Sequence, residues 1–335
     1  MRSPFTQASE RLTYELIPDW EQLPARWTHG DVAGVATDSR DRVFVFNRSE
    51  HPVIVYDRDG RFLRSWGEGL FTRPHGITIH DDVVYCADDT DHTVRALTLD
   101  GELLWTLGTP NVASDTGYSP VGRANLKSIV RGAGPFNRPT RLAVAANGDF
   151  YVSDGYGNAR IHRFSPQREL ILSWGEPGRE PGQFNLPHSV WVHTDGRVFV
   201  CDRENDRVQI FSPDGELLGM WTGLARPGDL WIDADGNVIV GEMAWNTDET
   251  HLDGRPYAES RSAQLSVRDL EGNLLSRWGG DDPCAPGSFA SPHGLCLDTR
   301  GDLYVGEVTH TALSRANRWT PACHSIQKFA RVWRR

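Results

Sequence analysis

An internal repeat constrains the fold of this chain more than any other feature. Three stretches align with one another: VVYCADDTDHTVRALTLDGELLWTLG (83–108), FYVSDGYGNARIHRFSPQRELILSWG (150–175) and VFVCDRENDRVQIFSPDGELLGMWTG (198–223). Each contains two strand-like hydrophobic runs, a turn such as Ser-Pro-Asp-Gly, and a last run that ends near Trp-Gly. The same unit recurs at 43–67, and weaker copies start at Val238 and Leu303, which makes six repeats. Self-similarity of this kind is typical of solenoids and propellers.

A further short run of alternating hydrophobic residues precedes each repeat. The six runs are GVATD (34–38), GITIH (76–80), RLAVA (141–145), SVWVH (189–193), DLWID (229–233) and GLCLD (294–298). Each repeat therefore has four short strands with period-two alternation and turn residues between them. One four-stranded sheet cannot bury both of its faces, whereas six sheets stacked radially can. The pattern predicts an all-β fold, a six-bladed β-propeller with four-stranded blades around a central channel.

The repeat also suggests a domain organisation. We expect one propeller domain over 29–335, preceded by an N-terminal segment, 1–28, that helps to close the ring. The stretches TYELIPDWEQLP and HSIQKFARVW, near the two ends of the chain, are candidates to share the last blade. Three insertions exceed the repeat and are predicted to be loops: 109–133, 244–263 and 308–324. Long loops often shape binding sites, and we expect the first or the third to close over one.

Composition and charge limit the partners that this chain can have. Its formal net charge is −10, which argues against nucleic acid, because that partner is bound by clustered lysine and arginine. No stretch approaches roughly 18 apolar residues, so no membrane partner is predicted. The N-terminus lacks the apolar core of a signal peptide. The five cysteines are odd in number and lack Cys-x-x-Cys spacing, so we interpret them as reduced thiols in a cytoplasmic protein.

Three histidines occupy one position of the repeat in alternate blades. Repeats two, four and six read Pro-His-Gly, Pro-His-Ser and Pro-His-Gly, and their histidines are His75, His188 and His293. The matching residues of repeats one, three and five are small: Ala33, Thr140 and Gly228. The first strand of a propeller blade lines the channel, so six-fold geometry places the histidines about 120° apart at one depth. Three converging imidazoles with an open fourth position are typical of a catalytic zinc site, although copper, iron and nickel also accept imidazole. The alternative is a structural habit of the repeat, in which the backbone satisfies each imidazole.

Tyr156 and two arginines are candidates for the chemistry near such a metal. Tyr156 lies between two glycines directly after a predicted strand, and a nearby cation would help its hydroxyl to act as an acid or base. Arg203 and Arg48 follow blade strands at related positions, where a guanidinium could bind a carboxylate in a bidentate manner. The structural alternatives are a tyrosine that packs on the next blade and arginines that form salt bridges between blades. The acidic residues that recur in nearly every blade are interpreted as structural.

The segment 139–211 carries a resemblance to a known family. Its motifs SDGYGNARI, EPGQFNLPHS and DRENDRVQ resemble those of NHL-repeat propellers, and among these it is similar to the peptidyl-α-hydroxyglycine α-amidating lyases. The resemblance covers about residues 30–310 and is weakest over 223–285. It implies catalytic zinc on His75, His188 and His293, with Tyr156 as the catalytic tyrosine and Arg203 and Arg48 as the active-site arginines.

The resemblance also implies a structural calcium ion, held by the backbone carbonyls of Val35 and Ile77. The third calcium ligand of the family is an aspartate directly after the last zinc histidine, where this chain has Gly294. Ser291 likewise replaces a methionine of the family. The disulfide cysteines of the family are not matched here, nor is a copper hydroxylase half present. These departures suggest a divergent member whose substrate need not be a peptide.

The sequence therefore leaves three hypotheses for function. The first is a zinc-dependent carbon–nitrogen lyase that splits an α-hydroxyglycine-type carbinolamide into an amide and an aldehyde such as glyoxylate. Its substrate would be a small molecule or derived from a peptide, and could carry a carboxylate. The second is a zinc-dependent hydrolase or hydratase on the same scaffold. The third is an NHL interaction scaffold without chemistry.

Overall fold

The structure is a computed structural model that describes residues 12–122, 124–315 and 317–332. In these residues 24 strands alternate with short turns. The strands are β1 Thr13–Ile17, β2 Val32–Thr37, β3 Val43–Asn47, β4 Val53–Tyr56, β5 Phe62–Trp66, β6 Pro74–His80, β7 Val83–Asp88, β8 Thr93–Thr98, β9 Leu103–Leu107, β10 Pro139–Val144, β11 Phe150–Asp154, β12 Arg160–Phe164, β13 Leu170–Trp174, β14 Pro187–Val192, β15 Val198–Asp202, β16 Arg207–Phe211, β17 Leu217–Trp221, β18 Pro227–Ile232, β19 Val238–Glu242, β20 Gln264–Arg268, β21 Leu274–Trp278, β22 Pro292–Leu297, β23 Leu303–Glu307 and β24 Ile326–Val332.

The strands form six four-stranded antiparallel sheets, and the predicted six-bladed β-propeller is confirmed. Blades 1 to 5 are β2–β5, β6–β9, β10–β13, β14–β17 and β18–β21, each in chain order. Blade 6 has the order β1-β24-β23-β22, so its outermost strand comes from the N-terminal end of the described chain. This pairing joins Thr13 to Val332 and Ile17 to Lys328. The division into an N-terminal segment and one domain at residue 29 stays a prediction.

The core lies on the second and third strands of the blades, because β-branched and aromatic residues fit a pleated surface that is buried on both faces. All five residues of β3, β11, β15, β19 and β23 are buried. In blades 2, 3, 4 and 6 the acidic residue that ends the second strand accepts backbone N–H groups from the segment that leads into the first strand. Asp154 accepts from Asn137 N, and Asp202 accepts from Asn185 N. The recurrent acids are therefore structural, as predicted.

The described chain separates into two compact units. One takes in the residues up to 68, together with 229–244 and those from 262 onward, and its core includes Leu265, Phe289 and Phe329. The other takes in 69–228 and 245–261, and its core includes Phe136, Val152 and Val200.

The prediction of reduced thiols was wrong for two of the five cysteines. Cys284 and Cys323 form a disulfide, while Cys86, Cys201 and Cys296 are buried and are not disulfide-bonded. The two bonded residues are separated by 39 positions, and only the folded chain brings their segments together. Disulfides persist chiefly in oxidising compartments, so the cytoplasmic prediction loses the support that reduced thiols gave it.

The described residues of the three insertions are mostly irregular, with two exceptions. Residues 109–133 contain a one-turn 3-10 helix, Asn125–Ser128. The segment 308–324, predicted to be a loop, contains the helix α1, Thr309–Arg315. Among the described residues, no helix is both long and apolar enough to cross a membrane.

Candidate metal centre and its surroundings

The three histidines predicted to bind metal lie at irregularities in the first strands of their blades. In β14 the register shifts between Pro187 and Ser189, so His188 lies at a β-bulge. The same kind of shift occurs around His293 in β22 and around His75 in β6. A bulged residue leaves the hydrogen-bonded ladder, and its side chain is turned relative to its neighbours. Local backbone geometry therefore sets these three side chains apart from the rest of each strand.

The backbone of the following blade orients each imidazole. Each Nδ1 lies within hydrogen-bonding distance of a carbonyl oxygen of the small residue at the same repeat position. The three pairs are His75 with Thr140 at 2.7 Å, His188 with Gly228 at 2.6 Å and His293 with Ala33 at 2.7 Å. Because a carbonyl only accepts, Nδ1 carries the proton and Nε2 keeps its lone pair. This is the tautomer that binds a metal through Nε2, with a carbonyl behind the ligand.

A histidine triad that can hold a metal ion exists in the described part of the chain. The ligand nitrogens of His75, His188 and His293 all lie within 4.8 Å of one another, and the three residues are buried. Neutral imidazoles suit zinc, and also copper, iron and nickel. The structural alternative, in which the backbone satisfies each imidazole, accounts for only one nitrogen of each ring.

Tyr156 lies beside this triad because two glycines let its turn approach neighbouring backbone. A Cβ atom at Gly155 would lie 2.3 Å from the carbonyl oxygen of Pro187, and one at Gly157 would lie 2.0 Å from Asn137 Oδ1. The Tyr156 amide donates to the carbonyl of Arg138 at 3.3 Å, which fixes the turn. Neither position has room for a larger residue, and the tyrosine is held between them.

The hydroxyl of Tyr156 contacts two of the residues that the sequence singled out. Its Oη lies 3.2 Å from His188 Nε2, and Arg203 Nη1 donates to it at 3.0 Å. The ring of Tyr156 also meets the ring of His75 edge-on, with centroids 5.2 Å apart. The structure therefore brings Tyr156, Arg203 and two of the three histidines together.

Two further arginines beside Tyr156 were missed from the sequence. The guanidinium carbons of Arg73 and Arg138 lie 5.8 and 5.7 Å from its ring centroid, and that of Arg203 lies 5.3 Å away. A signal for them existed, because Arg-Pro precedes the first strand of blades 2, 3 and 5, at Arg73, Arg138 and Arg226. Burial alone would lower the pKa of Arg138, but the carboxylate of Asp89 raises that pKa above its ordinary value.

Glu204 anchors the insertion 244–263 next to Arg203. Arg203 Nε and Arg226 Nη2 each donate to Glu204 Oε1 at 2.9 Å. The other oxygen, Oε2, lies 3.2 Å from His251 Nδ1 and accepts from the Leu252 amide at 3.0 Å. Burial alone would raise the pKa of the Glu204 carboxyl, but the two arginines and these bonds hold that pKa well below its usual range. The carboxylate therefore stays ionised and fixes the Arg203 side chain.

The insertion 109–133 also reaches this region. Leu126 and Ile129 form a buried apolar cluster with Leu186, and Tyr156 and Leu252 pack against it. The Leu126 amide donates to the Leu252 carbonyl at 3.3 Å, which joins the two insertions. The segment 109–133, predicted to be one of the loops near the site, thus forms an apolar wall beside Tyr156.

Arg48 pairs with a buried aspartate. Its Nη1 donates to Asp31 Oδ2 at 3.2 Å, in a pair that is almost wholly buried. Asp31 also accepts from the amide of Thr311 at 2.8 Å, so helix α1 packs beside this arginine. This salt bridge lies within blade 1, because Asp31 and Arg48 flank the paired strands β2 and β3, and it is therefore not the bridge between blades that was the structural alternative. A catalytic role for Arg48 stays a prediction.

The predicted calcium site has a glycine, Gly294, at the position of the aspartate ligand that the resemblance implies. Val35 lies in β2 and Ile77 in β6, and both are fully buried. A Cβ atom at Gly294 would lie 2.7 Å from Gly34 Cα and 3.1 Å from Val35 N. An aspartate therefore cannot enter at Gly294 without moving the backbone of β2, and the structure gives calcium no support at this position.

The close approach at Gly294 has a measurable consequence. Replacing Gly294 with alanine is expected to destabilise the protein by about 1–3 kcal/mol, because the added methyl group meets backbone atoms that cannot turn away. The midpoint of urea unfolding, followed by tryptophan fluorescence, measures this. Gly134→Ala is the matched control, since a Cβ atom there would have no neighbour within 4 Å. Equal midpoints for the two variants would contradict the expected crowding.

Comparisons with known proteins agree with this architecture. Residues 136–164 and 184–211 match the family described as the NHL repeat. The chain is 35% identical over 315 residues to NHL repeat-containing protein 3 of Mus musculus, covering 86% of this chain and 80% of that protein. It is 29% identical over 267 residues to peptidyl-alpha-hydroxyglycine alpha-amidating lyase 1 of Drosophila melanogaster, covering 74% of this chain and 45% of the lyase.

Solved structures of low sequence identity share the fold. A gluconolactonase from Xanthomonas campestris matches with a TM-score of 0.60 at 13% identity, over 96% of this chain and 91% of that one. At this identity the likeness concerns the fold alone.

Proposed function

Because the chain belongs to the NHL-repeat family of NHL repeat-containing protein 3, and is related to an amidating lyase, we propose that it is a metal-dependent carbon–nitrogen lyase. Its substrate would be an α-hydroxyglycine-type carbinolamide, which it splits into an amide and an aldehyde such as glyoxylate. The metal would be zinc, held by His75, His188 and His293.

The observation that carries the proposal is the position of the Tyr156 hydroxyl. It lies 3.2 Å from His188 Nε2 and accepts a hydrogen bond from Arg203 at 3.0 Å. A proton carrier next to three converging imidazoles is what acid–base catalysis beside a metal requires. The relationship to the Drosophila lyase supports the same choice among reactions.

Each residue would have a defined part in the reaction. A zinc ion on the three imidazoles would supply Lewis-acid stabilisation of negative charge on a substrate oxygen. The Tyr156 oxygen would take the proton of the carbinol hydroxyl as its C–O bond becomes C=O and the C–N bond breaks. The departing nitrogen would receive that proton, which leaves an amide and an aldehyde. Arg203 would stabilise the tyrosine oxygen while it lacks the proton, because charge-assisted hydrogen bonds are among the stronger ones.

The remaining assignments follow the same logic. Arg203 and Arg48 would neutralise a carboxylate on the substrate, and the apolar wall of Leu126 and Ile129 would exclude water from the Tyr156 side. A cytoplasmic location belongs to this proposal only as a prediction, since the Cys284–Cys323 disulfide removes the support that five reduced thiols gave it. The second candidate is a zinc-dependent hydrolase or hydratase, which the same triad and tyrosine would serve.

Glyoxylate release tests the proposal. Purified protein incubated with an N-acyl-α-hydroxyglycine is expected to release glyoxylate and the acyl amide in equal amounts. A chelator is expected to stop the release and added zinc to restore it, because the metal supplies part of the barrier reduction. Metal content by mass spectrometry is measured on the same preparation. Stoichiometric metal without glyoxylate would favour the hydrolase or hydratase, and protein without metal would favour an interaction scaffold.

A further inference from the structure

The arginines around Tyr156 outnumber the carboxylates that pair with them. Arg73 Nη1 and Arg138 Nη2 both pair with Asp89, and Asp89 is fully buried. On another face of the cluster, Arg203 and Arg226 both pair with Glu204. Counted by direct guanidinium contacts alone, four arginines share two carboxylates, which leaves a surplus of two positive charges among these contacts, in a chain whose net charge is −10. A local surplus of this sign in an acidic protein favours an anionic ligand.

The carboxylate of Asp88, the acid next to Asp89 in the chain, binds backbone amides. Asp88 precedes Asp89, and its carboxylate accepts from the backbone amides of Thr72, Arg73 and Thr90. These bonds hold the segment that carries Arg73 and leave its side chain to Asp89. The Asp88 carboxylate is thus occupied by backbone amides, and Asp89 is the acid that the guanidinium groups of Arg73 and Arg138 share.

Arg73 is the most exposed member of the cluster. Its side chain is 32% exposed, compared with 18% for both Arg138 and Arg226 and 4% for Arg203. Among the described residues, the one side-chain hydrogen bond that Arg73 makes is from Nη1 to Asp89. The Nε and Nη2 groups of Arg73 are therefore available as donors, in the planar geometry that matches a carboxylate.

We propose that Arg73 and Arg138 form a second anion-binding position beside Tyr156, which selects substrates that carry a carboxylate in addition to the one on the α-hydroxyglycine carbon. The substrate class is a dicarboxylate carbinolamide, in which an acidic acyl group occupies this position. The proposal rests on the proposed function for calling the occupant a substrate. The binding of the anion itself is independent of turnover.

Isothermal titration of the metal-loaded protein with succinate and with butyrate tests the position. The two probes have the same number of carbons and differ in the second carboxylate. Wild type is expected to bind succinate at least about tenfold more tightly than butyrate. Arg73→Gln is expected to lose about tenfold in affinity for succinate and less than twofold for butyrate, since a bidentate charged contact disappears. Arg73→Lys keeps the charge but lacks the planar guanidinium group, so its affinity for succinate is expected to lie between those of wild type and Arg73→Gln.

The control is Arg277→Gln, which removes an exposed arginine from the outer strand β21. It is expected to bind both probes like wild type. Equal affinity of wild type for succinate and butyrate, or equal losses for both probes in Arg73→Gln, would overturn the proposal. Preferential succinate binding without glyoxylate release from any α-hydroxyglycine compound would overturn the lyase assignment and leave the anion position intact.

Discussion

Replacing His188 with alanine is expected to lower the affinity of the protein for zinc by more than about a hundredfold. Loss of a group that merely supports a metal ligand costs about 10–100-fold, and loss of the ligand itself costs more. The Gly228 carbonyl fixes the orientation of the His188 imidazole, so the variant loses a metal ligand that is already in position and not a mobile one. Competition with a chromophoric chelator measures the affinity, and metal content of the purified protein provides a second readout.

The matched control for this variant is His80→Ala. His80 lies on β6, the strand that carries His75, but its side chain is 44% exposed and contacts Asp81. The control is expected to bind zinc like wild type, and circular dichroism should show both variants folded. Wild-type protein without stoichiometric metal after zinc loading would refute the triad as a metal site. Unchanged affinity in His188→Ala would exclude this residue as a ligand.

The repeat predicted the blades and the three histidines because both depend on one period of the sequence. Alternating hydrophobic residues set the strands, and the Pro-His dipeptide marks the start of the first strand in each even-numbered blade. The sequence could not show why alternate blades have small residues there. In the structure the carbonyl oxygens of Thr140, Gly228 and Ala33 accept from the imidazoles. Every residue type has a backbone carbonyl, so the sequence shows only that these positions hold small residues and not that their carbonyl oxygens accept hydrogen bonds.

Other features depend on contacts between distant segments, which a repeat does not encode. Cys323 lies in the insertion 308–324 and Cys284 lies in the loop between β21 and β22, so their bond had no spacing signal. Arg73 and Arg138 were visible as Arg-Pro dipeptides, but their sharing of Asp89 was not. The periodic part of the site was therefore predictable, and the part built from insertions and charge pairing was not.

Replacing Tyr156 with phenylalanine is expected to lower kcat for glyoxylate release by about 10²–10⁴-fold, the usual contribution of a positioned acid or base. The substitution removes one oxygen, the atom that contacts both His188 and Arg203. The aromatic ring stays, so its packing against Leu126 and Ile129 should hold the turn in place. Metal content and KM are expected to change little, because Tyr156 is not needed to bind zinc. Steady-state kinetics with the zinc-loaded protein measure the loss.

Tyr118→Phe separates a chemical role of the Tyr156 hydroxyl from a structural one. The Tyr118 hydroxyl accepts from Arg138 at 2.8 Å and lies in the same wall, but its role is to hold that arginine. This variant is expected to lose less than about tenfold in kcat, and both variants should unfold near the wild-type temperature. A proton carrier also shapes the pH–rate profile, so Tyr156→Phe should flatten one limb that Tyr118→Phe retains. Full activity in Tyr156→Phe would remove this residue from the mechanism, because its hydroxyl is the atom that the proton transfer requires.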